Sequence, residues 1–130
     1  EAMNMNIPEE LKYHKEHTWV KVIGKKATIG ITEYAQKQLG DIVYVDLPST
    51  DTEIEKDEEF TEIESTKTTS SVIAPVSGNI IEVNEELEET PEIINEDPYG
   101  KGWIVVVELS EPSQIDELFD SSDYENYISS

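Results

Sequence analysis

The sequence predicts an all-β fold, a barrel or sandwich with small helices at its edges. Three observations carry this. Short runs of β-branched and aromatic residues recur along nearly the whole chain, separated by Gly, Pro, Asn, Asp and Ser. Long helical periodicity is missing, and so is the strand–helix alternation with a glycine-rich loop that a doubly wound nucleotide fold needs. The 130 residues suffice for a single modest core.

Taken in order, Trp19–Gly24 and Ala27–Ile31 read as two strands joined by a turn at Lys25–Lys26. Thr32 caps a short helix, Glu33–Leu39, which Gly40 stops. Ile42–Leu47 is a strand ended by Pro48, and the polar stretch Thr50–Asp57 is a loop or edge segment. Phe60–Glu64 alternates apolar and polar as a half-buried strand does, and Thr69–Ile73 resumes the pattern. Between them, residues 65–68 form the turn, so Lys67 stands at a hairpin tip. After a turn at 74–79, Ile80–Val83 is a strand. Asn95–Gly100 has the chemistry of a rigid loop. Trp103–Leu109 is almost continuously apolar, which marks a central strand. Pro112 opens a helix reaching about Phe119, and Ser122 with Glu125 forms a capping box for a final one. The strands number about seven.

Thirty acids against nine lysines and arginines give a net charge of -21, spread unevenly. Residues 1–40 hold five acids and six lysines, net +1; residues 41–130 hold twenty-five acids and three lysines, net -22. Such a field repels nucleic acid and anionic membranes and steers basic partner proteins. Most acids alternate with apolar residues, as on a solvated surface rather than in an acidic tail. With no cysteine the chain has no disulfide, thiolate metal site or cysteine nucleophile. No apolar run is of membrane-spanning length. No signal peptide is visible, and Glu1–Ala2 before Met3 reads as an expression remnant.

Phosphate loop, nucleophile elbow and zinc-helix signatures are all absent. His14 and His17 are the only histidines, and no further His or Cys completes a metal site, so both read as structural or surface residues. Lys67 is different. Between Lys56 and Lys101 it is the only base, set among small hydroxylic residues in Glu64-Ser65-Thr66-Lys67-Thr68-Thr69-Ser70-Ser71. A lysine in a polar turn is ordinarily just a solvated charge. Isolated among acids and flanked by strands, this one suits attachment of a carrier group, in which the cofactor supplies the chemistry and the protein its placement.

The segments Gly30–Gln36, Leu39–Pro48, Glu64–Lys67, Ala74–Gly78, Val83–Asn84 and Asn95–Gly100 before Gly102–Trp103 together resemble the H-protein family of the glycine cleavage system, in order and from Leu11 to Tyr127. The resemblance implies a mainly β, lipoyl-domain-like barrel-sandwich hybrid with short flanking helices. Residues 1–10 are then an N-terminal segment and 11–130 a single lipoyl-carrier domain. It implies lipoate in amide linkage to Lys67 and no catalytic residues of its own. It further implies four partners: the decarboxylating P protein, which loads an aminomethyl group on a lipoyl sulfur; the T protein, which passes the one-carbon unit to tetrahydrofolate and releases ammonia; the L protein, which reoxidises the dithiol; and a lipoate ligase or lipoyl transferase. The expected form is a monomer, cytoplasmic, or mitochondrial in a eukaryote. Biotin carriers centre instead on Met-Lys-Met.

The chain departs from the family pattern in places. Thr18 stands where the family has Glu between His and Trp, and Ser71 where it has an acid four residues after the lysine. By resemblance, those carboxylates belong to a cleft that shelters the loaded amine, and His17, Thr18, Glu33 and Ser71 are its candidate residues here. Glu16, Glu33 and Glu64 are the candidates to compensate. Glycines after Leu47–Pro48 and near Asp57 are missing, which points to altered turns. Two alternatives stand beside glycine cleavage: an H-like protein relaying lipoate to other enzymes, and an unlipoylated acidic interaction domain.

Overall fold

The computed structural model describes residues 5–129, so Glu1–Ala2 lies outside the described residues. Two antiparallel sheets enclose the core. The larger has six strands: β1 (Lys12–Tyr13), β2 (Thr18–Ile23), β3 (Lys26–Ile31), β5 (Glu53–Ile54), β8 (Gly78–Val83) and β9 (Val105–Leu109), in the order β1-β2-β3-β9-β8-β5. The smaller is β4 (Ile42–Val45), β6 (Glu59–Ser65) and β7 (Thr69–Ile73), in the order β4-β6-β7. Four short helices accompany them: α1 (Glu33–Leu39), α2 (Glu86–Glu89), α3 (Ile93–Glu96) and α4 (Ser121–Ser129). The two-sheet architecture with short helices is the fold class expected.

Alternation along the strands builds the core. In β6, Thr61, Ile63 and Ser65 are buried while Glu62 and Glu64 are exposed. In β9, Val105, Val107 and Leu109 face inward, and the strand lies between β3 and β8 as a central strand should. These residues join Ile29, Ile80, Ile94, Ile104 and Val76 in the main cluster. A second cluster, Leu11, Tyr13, Trp19 and Tyr124, covers the other side of the large sheet. Trp19 and Val20 are adjacent and both buried because they serve opposite faces, Trp19 in the second cluster and Val20 in the main one. Gly30 is paired with Trp19 across the β2–β3 ladder, and the indole lies where a Gly30 side chain would go: a Cβ would stand 2.7 Å from the ring.

Several boundaries differ from the sequence reading. Among the described residues there are nine strands rather than about seven, because the two-residue strands β1 and β5 exist only through pairing with β2 and β8. The β2–β3 turn falls at Gly24–Lys25, with Gly24 at φ +63. Asn95 and Glu96 belong to α3, so the rigid loop starts at Asp97. The central strand begins at Val105, not Trp103, and β4 ends at Val45, not Leu47. Pro112–Glu117 is a 3-10 helix ending before Phe119. The cap of α4 is Asp120, whose carboxylate accepts the Asp123 N–H at 2.8 Å; Ser122 lies inside the helix. Where glycines were missed, Asp51 and Asp57 adopt left-handed φ values of +67 and +75, a region Asp enters more readily than most residues. The turns persist with aspartate in place of glycine.

Candidate functional site

Strands β6 and β7 pair from Glu59↔Ile73 to Glu64↔Thr69, and the tip between them carries Lys67, which is exposed. The buried Ser65 holds this tip together. Its hydroxyl donates to the Thr68 carbonyl at 3.1 Å and accepts the N–H groups of Lys67 (3.3 Å) and Thr68 (3.1 Å). The Ser65 N–H also donates to the Thr68 carbonyl at 2.8 Å, and the Thr66 N–H reaches the Asp41 carbonyl at 2.9 Å. The lysine backbone is therefore fixed to both its own hairpin and the end of α1.

The lysine stem passes over Gly40, the α1 C-cap at φ +84, where a Cβ would stand 3.5 Å from Lys67 Cε. The positive φ is what favours glycine here; a Cβ at that distance would make only ordinary van der Waals contact with the stem. Asn95 secures the ground beneath: its amide nitrogen donates to the Gly40 carbonyl (2.9 Å) and Gln36 Oε1 (2.8 Å), and its oxygen accepts the Ile42 N–H (2.9 Å).

Beside this corner a cavity of about 160 Å3 opens between α1, the β6–β7 hairpin and the turn entering β2. Its apolar floor is Ile31, Ala35, Leu39, Ile63 and Val72, and its polar rim is Glu16, His17, Thr18, Gln38, Ser70 and Ser71. Of the candidate cleft residues, the structure brings His17, Thr18 and Ser71 together here. Thr18 is buried, with its hydroxyl donating to the Ile73 carbonyl at 3.0 Å. Ser71 donates to Glu59 Oε1 at 2.9 Å, so a rim hydroxyl is bonded to a carboxylate that does not itself line the cleft and that the sequence reading did not single out. Glu33 is not in the cleft lining and pairs with Lys37 at 3.5 Å. Glu64 is on the other face of β6, lining a separate hollow with Tyr44, Asp46, Glu62 and Thr69. Of the three proposed compensating acids, only Glu16 lines the cleft.

His17 adopts φ +74 and is locked by its neighbours. Its N–H donates to the His14 carbonyl (2.9 Å), and its own carbonyl accepts the Thr32 N–H (3.1 Å). The ring Nδ1 is 2.8 Å from Tyr124 Oη, which is 2.9 Å from Thr32 Oγ1. Burial pushes the imidazole pKa down, against a smaller upward pull from Glu16 and a downward one from His14.

His14 serves the scaffold. Nδ1 accepts the Glu16 N–H at 3.0 Å, so the ring proton resides on Nε2 and donates to Asp57 Oδ1 at 2.6 Å. That bond is the main reason the Asp57 carboxyl is held below its ordinary value; the Lys56 ammonium adds to it. Lys56 also pairs with Glu117 at 3.2 Å. Both nitrogens of His14 are occupied, and among the described residues no group of three or more His, Cys, Asp or Glu is placed to hold a metal ion.

Sequence reasoning missed Ser65, Gly40, Asn95 and Tyr124 as supports of the site. Ser65 and Gly40 carry a local signal, a small residue at a turn; Asn95 and Tyr124 act across 55 and 107 residues and carry none.

Residues 11–130 match the family model described as glycine cleavage H-protein. The chain is 56% identical over 124 residues to the glycine cleavage system H protein of Staphylococcus carnosus (strain TM300), covering 95% of this chain and 98% of that one. It is 55% identical over 124 residues to the protein of the same name from Halalkalibacterium halodurans, covering 95% and 97%. Among solved structures, a glycine cleavage system H protein from Mycobacterium marinum superposes with a TM-score of 0.88 at 35% identity, covering 95% of this chain and 100% of that one.

Proposed function

The chain belongs to the glycine cleavage H-protein family, and from that premise we propose that it is the lipoyl carrier of the glycine cleavage system, with lipoate amide-linked to Lys67. The observation that carries the site assignment is the placement of Lys67: an exposed amine at the tip of a stitched hairpin, its stem laid over Gly40 beside a half-apolar cleft. These residues fit such an arm. An amine that projects from the surface is within reach of a modifying enzyme. The floor of Ile31, Ala35, Leu39, Ile63 and Val72 can cover a saturated chain and dithiolane ring, removing apolar surface from water.

When bound, lipoate supplies a disulfide that accepts the aminomethyl group and is restored from the dithiol by oxidation. The protein places this group. Ser65 and Asp41 hold the attachment point still, so the arm swings about a defined pivot. Loading by P protein, unloading by T protein, reoxidation by L protein and attachment by a lipoate ligase or lipoyl transferase are the partnerships this reading carries. Residues 11–130 act as one non-catalytic carrier domain, working in the cytoplasm as a monomer.

Intact mass after coexpression with a lipoate ligase tests the attachment. The wild type should gain one lipoyl increment and Lys67→Ala none; an increment retained in Lys67→Ala overturns the site. Glycine–bicarbonate exchange with P protein tests the function. Lipoylated protein that supports no exchange would favour the relay of lipoate to other enzymes, a reading to which Thr18 and Ser71, in place of two acids, lend some weight.

A further inference from the structure

The hydrogen-bond accounting around His17 determines which kind of group the cleft can hold. Thr32 Oγ1 accepts the Ala35 N–H at 3.2 Å, so its own proton is directed to Tyr124 Oη at 2.9 Å. Thr32 is fully buried, which leaves that proton no water to turn to. Tyr124 has one proton, and having accepted from Thr32 it donates to His17 Nδ1 at 2.8 Å. With Nδ1 an acceptor, neutral His17 carries its proton on Nε2, the ring nitrogen that Tyr124 does not engage, and His17 is one of the residues that line the cleft. The ring is held against Tyr34 at 4.8 Å and Tyr127 at 6.0 Å, so this N–H is aimed rather than free to turn. The other rim hydroxyls are spent, Thr18 on the Ile73 carbonyl, Ser70 on the Ser71 carbonyl and Ser71 on Glu59.

We propose that His17 Nε2–H is the donor that receives a sulfur of the reduced arm in this cleft and favours its thiolate, with Tyr124 as the positioning residue that selects the tautomer. The proposal rests on the lipoyl-Lys67 reading. Reach supports it. Tyr34, against which His17 packs, precedes Gly40 by six residues of α1 and its cap, roughly 9 Å at the helical rise. The attached group extends roughly 10 Å beyond the lysine nitrogen, at about 1.25 Å of advance per bond. A hydrogen bond to the charged form favours that form. The step is a proton loss alone: the S–H bond breaks, the pair stays on sulfur, and the proton goes to solvent. The groups facing His17 are Glu16 and His14 on its own turn, Tyr34 from α1, and Tyr124 and Tyr127 from α4. Burial lowers the imidazole pKa, which keeps His17 neutral and this tautomer in place at neutral pH.

Because the chain has no cysteine, the arm's thiols are the only thiols in the lipoylated protein, and the difference in absorbance near 240 nm between the reduced and the oxidised form of the same variant at each pH reports on them, the phenolate contribution cancelling. The lipoylated wild type, Tyr124→Phe and His17→Phe are reduced with a phosphine and titrated, with circular dichroism as the fold control. At a given pH below the midpoint the wild type should show roughly threefold to tenfold more thiolate than His17→Phe, with Tyr124→Phe between them. Tyr124→Phe keeps the ring stack on Tyr13, so it carries the test should His17→Phe not fold. Superimposable titrations of the folded proteins overturn the inference and leave the lipoyl reading standing. A missing lipoyl mass increment on the wild type overturns that reading and this inference with it.

Discussion

Asp51 and Asp57 occupy the same left-handed conformation, yet replacing them with glycine should have opposite consequences. At Asp51, glycine relieves backbone crowding but adds freedom to the unfolded chain, so Asp51→Gly should move stability by less than about 1 kcal/mol, toward stabilising. At Asp57 the carboxylate is the acceptor for His14 Nε2–H, and His14 is only 3% exposed. Asp57→Gly strands a buried donor and should cost about 1–3 kcal/mol in chemical denaturation. Acid adds a second check. The Asp57 carboxyl is held below its ordinary 3.8, so its contribution is complete above that value and is lost as pH falls through the lower, folded one. The difference in melting temperature between wild type and Asp57→Asn should therefore be largest near neutrality and shrink below about pH 4. A difference that persists at pH 2 would place the benefit in packing, not charge.

Among the elements, the central strand β9 and the terminal helix α4 make the clearest claims. Val105 and Val107 are both fully buried between β3 and β8. Truncating either to Ala should lower stability by about 1.5–3 kcal/mol, read as a shifted denaturation midpoint. Unchanged midpoints would mean the strand is not central to the core. Helix α4 contributes Tyr124, which stacks on Tyr13 at 4.8 Å and closes the second cluster. Burial pushes the phenols of Tyr13 and Tyr124 up, and that of Tyr99 to about 12. Raised folded values mean stability that is full below the unfolded value near 10 and lost as pH rises through the folded ones. Phenolate absorbance should rise together with loss of near-ultraviolet circular dichroism above about pH 10. If these three phenols ionised while the tertiary signal held, α4 would not be sealing the cluster.

Across the whole molecule, charge is the distinguishing property. The net -22 of residues 41–130 includes Asp46, Glu62 and Glu64, which line a hollow of about 250 Å3 with Tyr44 on the outward face of the lysine hairpin's sheet. A basic enzyme surface approaching Lys67 meets this field first. Association with P protein or a lipoate ligase should slow markedly as ionic strength rises, since the Debye length falls from about 30 Å at 0.01 M to about 10 Å at 0.1 M. A rate indifferent to salt would leave the acidity with no part in recognition.

Much of the scaffold could be read along the chain because its causes are local. Period-two alternation marked β6 and β7, and a nearly continuous apolar run marked β9; Thr32 and Gly40 bounded α1; small hydroxylic residues between two strands put Lys67 at a tip. Strand β1 could not be read, and β5 only as part of a loop or edge segment, since two residues have no periodicity and become strands only when a partner strand supplies hydrogen bonds. The cap of α4 was misread for a related reason, as two residues of the segment could accept the bond and the docking of Tyr124 on Tyr13 decided where the helix began. The site divides the same way. Its lysine was legible, whereas the surroundings were settled by contacts between distant positions: Glu59 reaching Ser71, Asp57 reaching His14 across 43 residues, Tyr124 reaching His17 across 107. Local pattern determines which residues form strands and turns; which side chains then share a cleft depends on how two sheets close over one core, a property no short window of sequence contains.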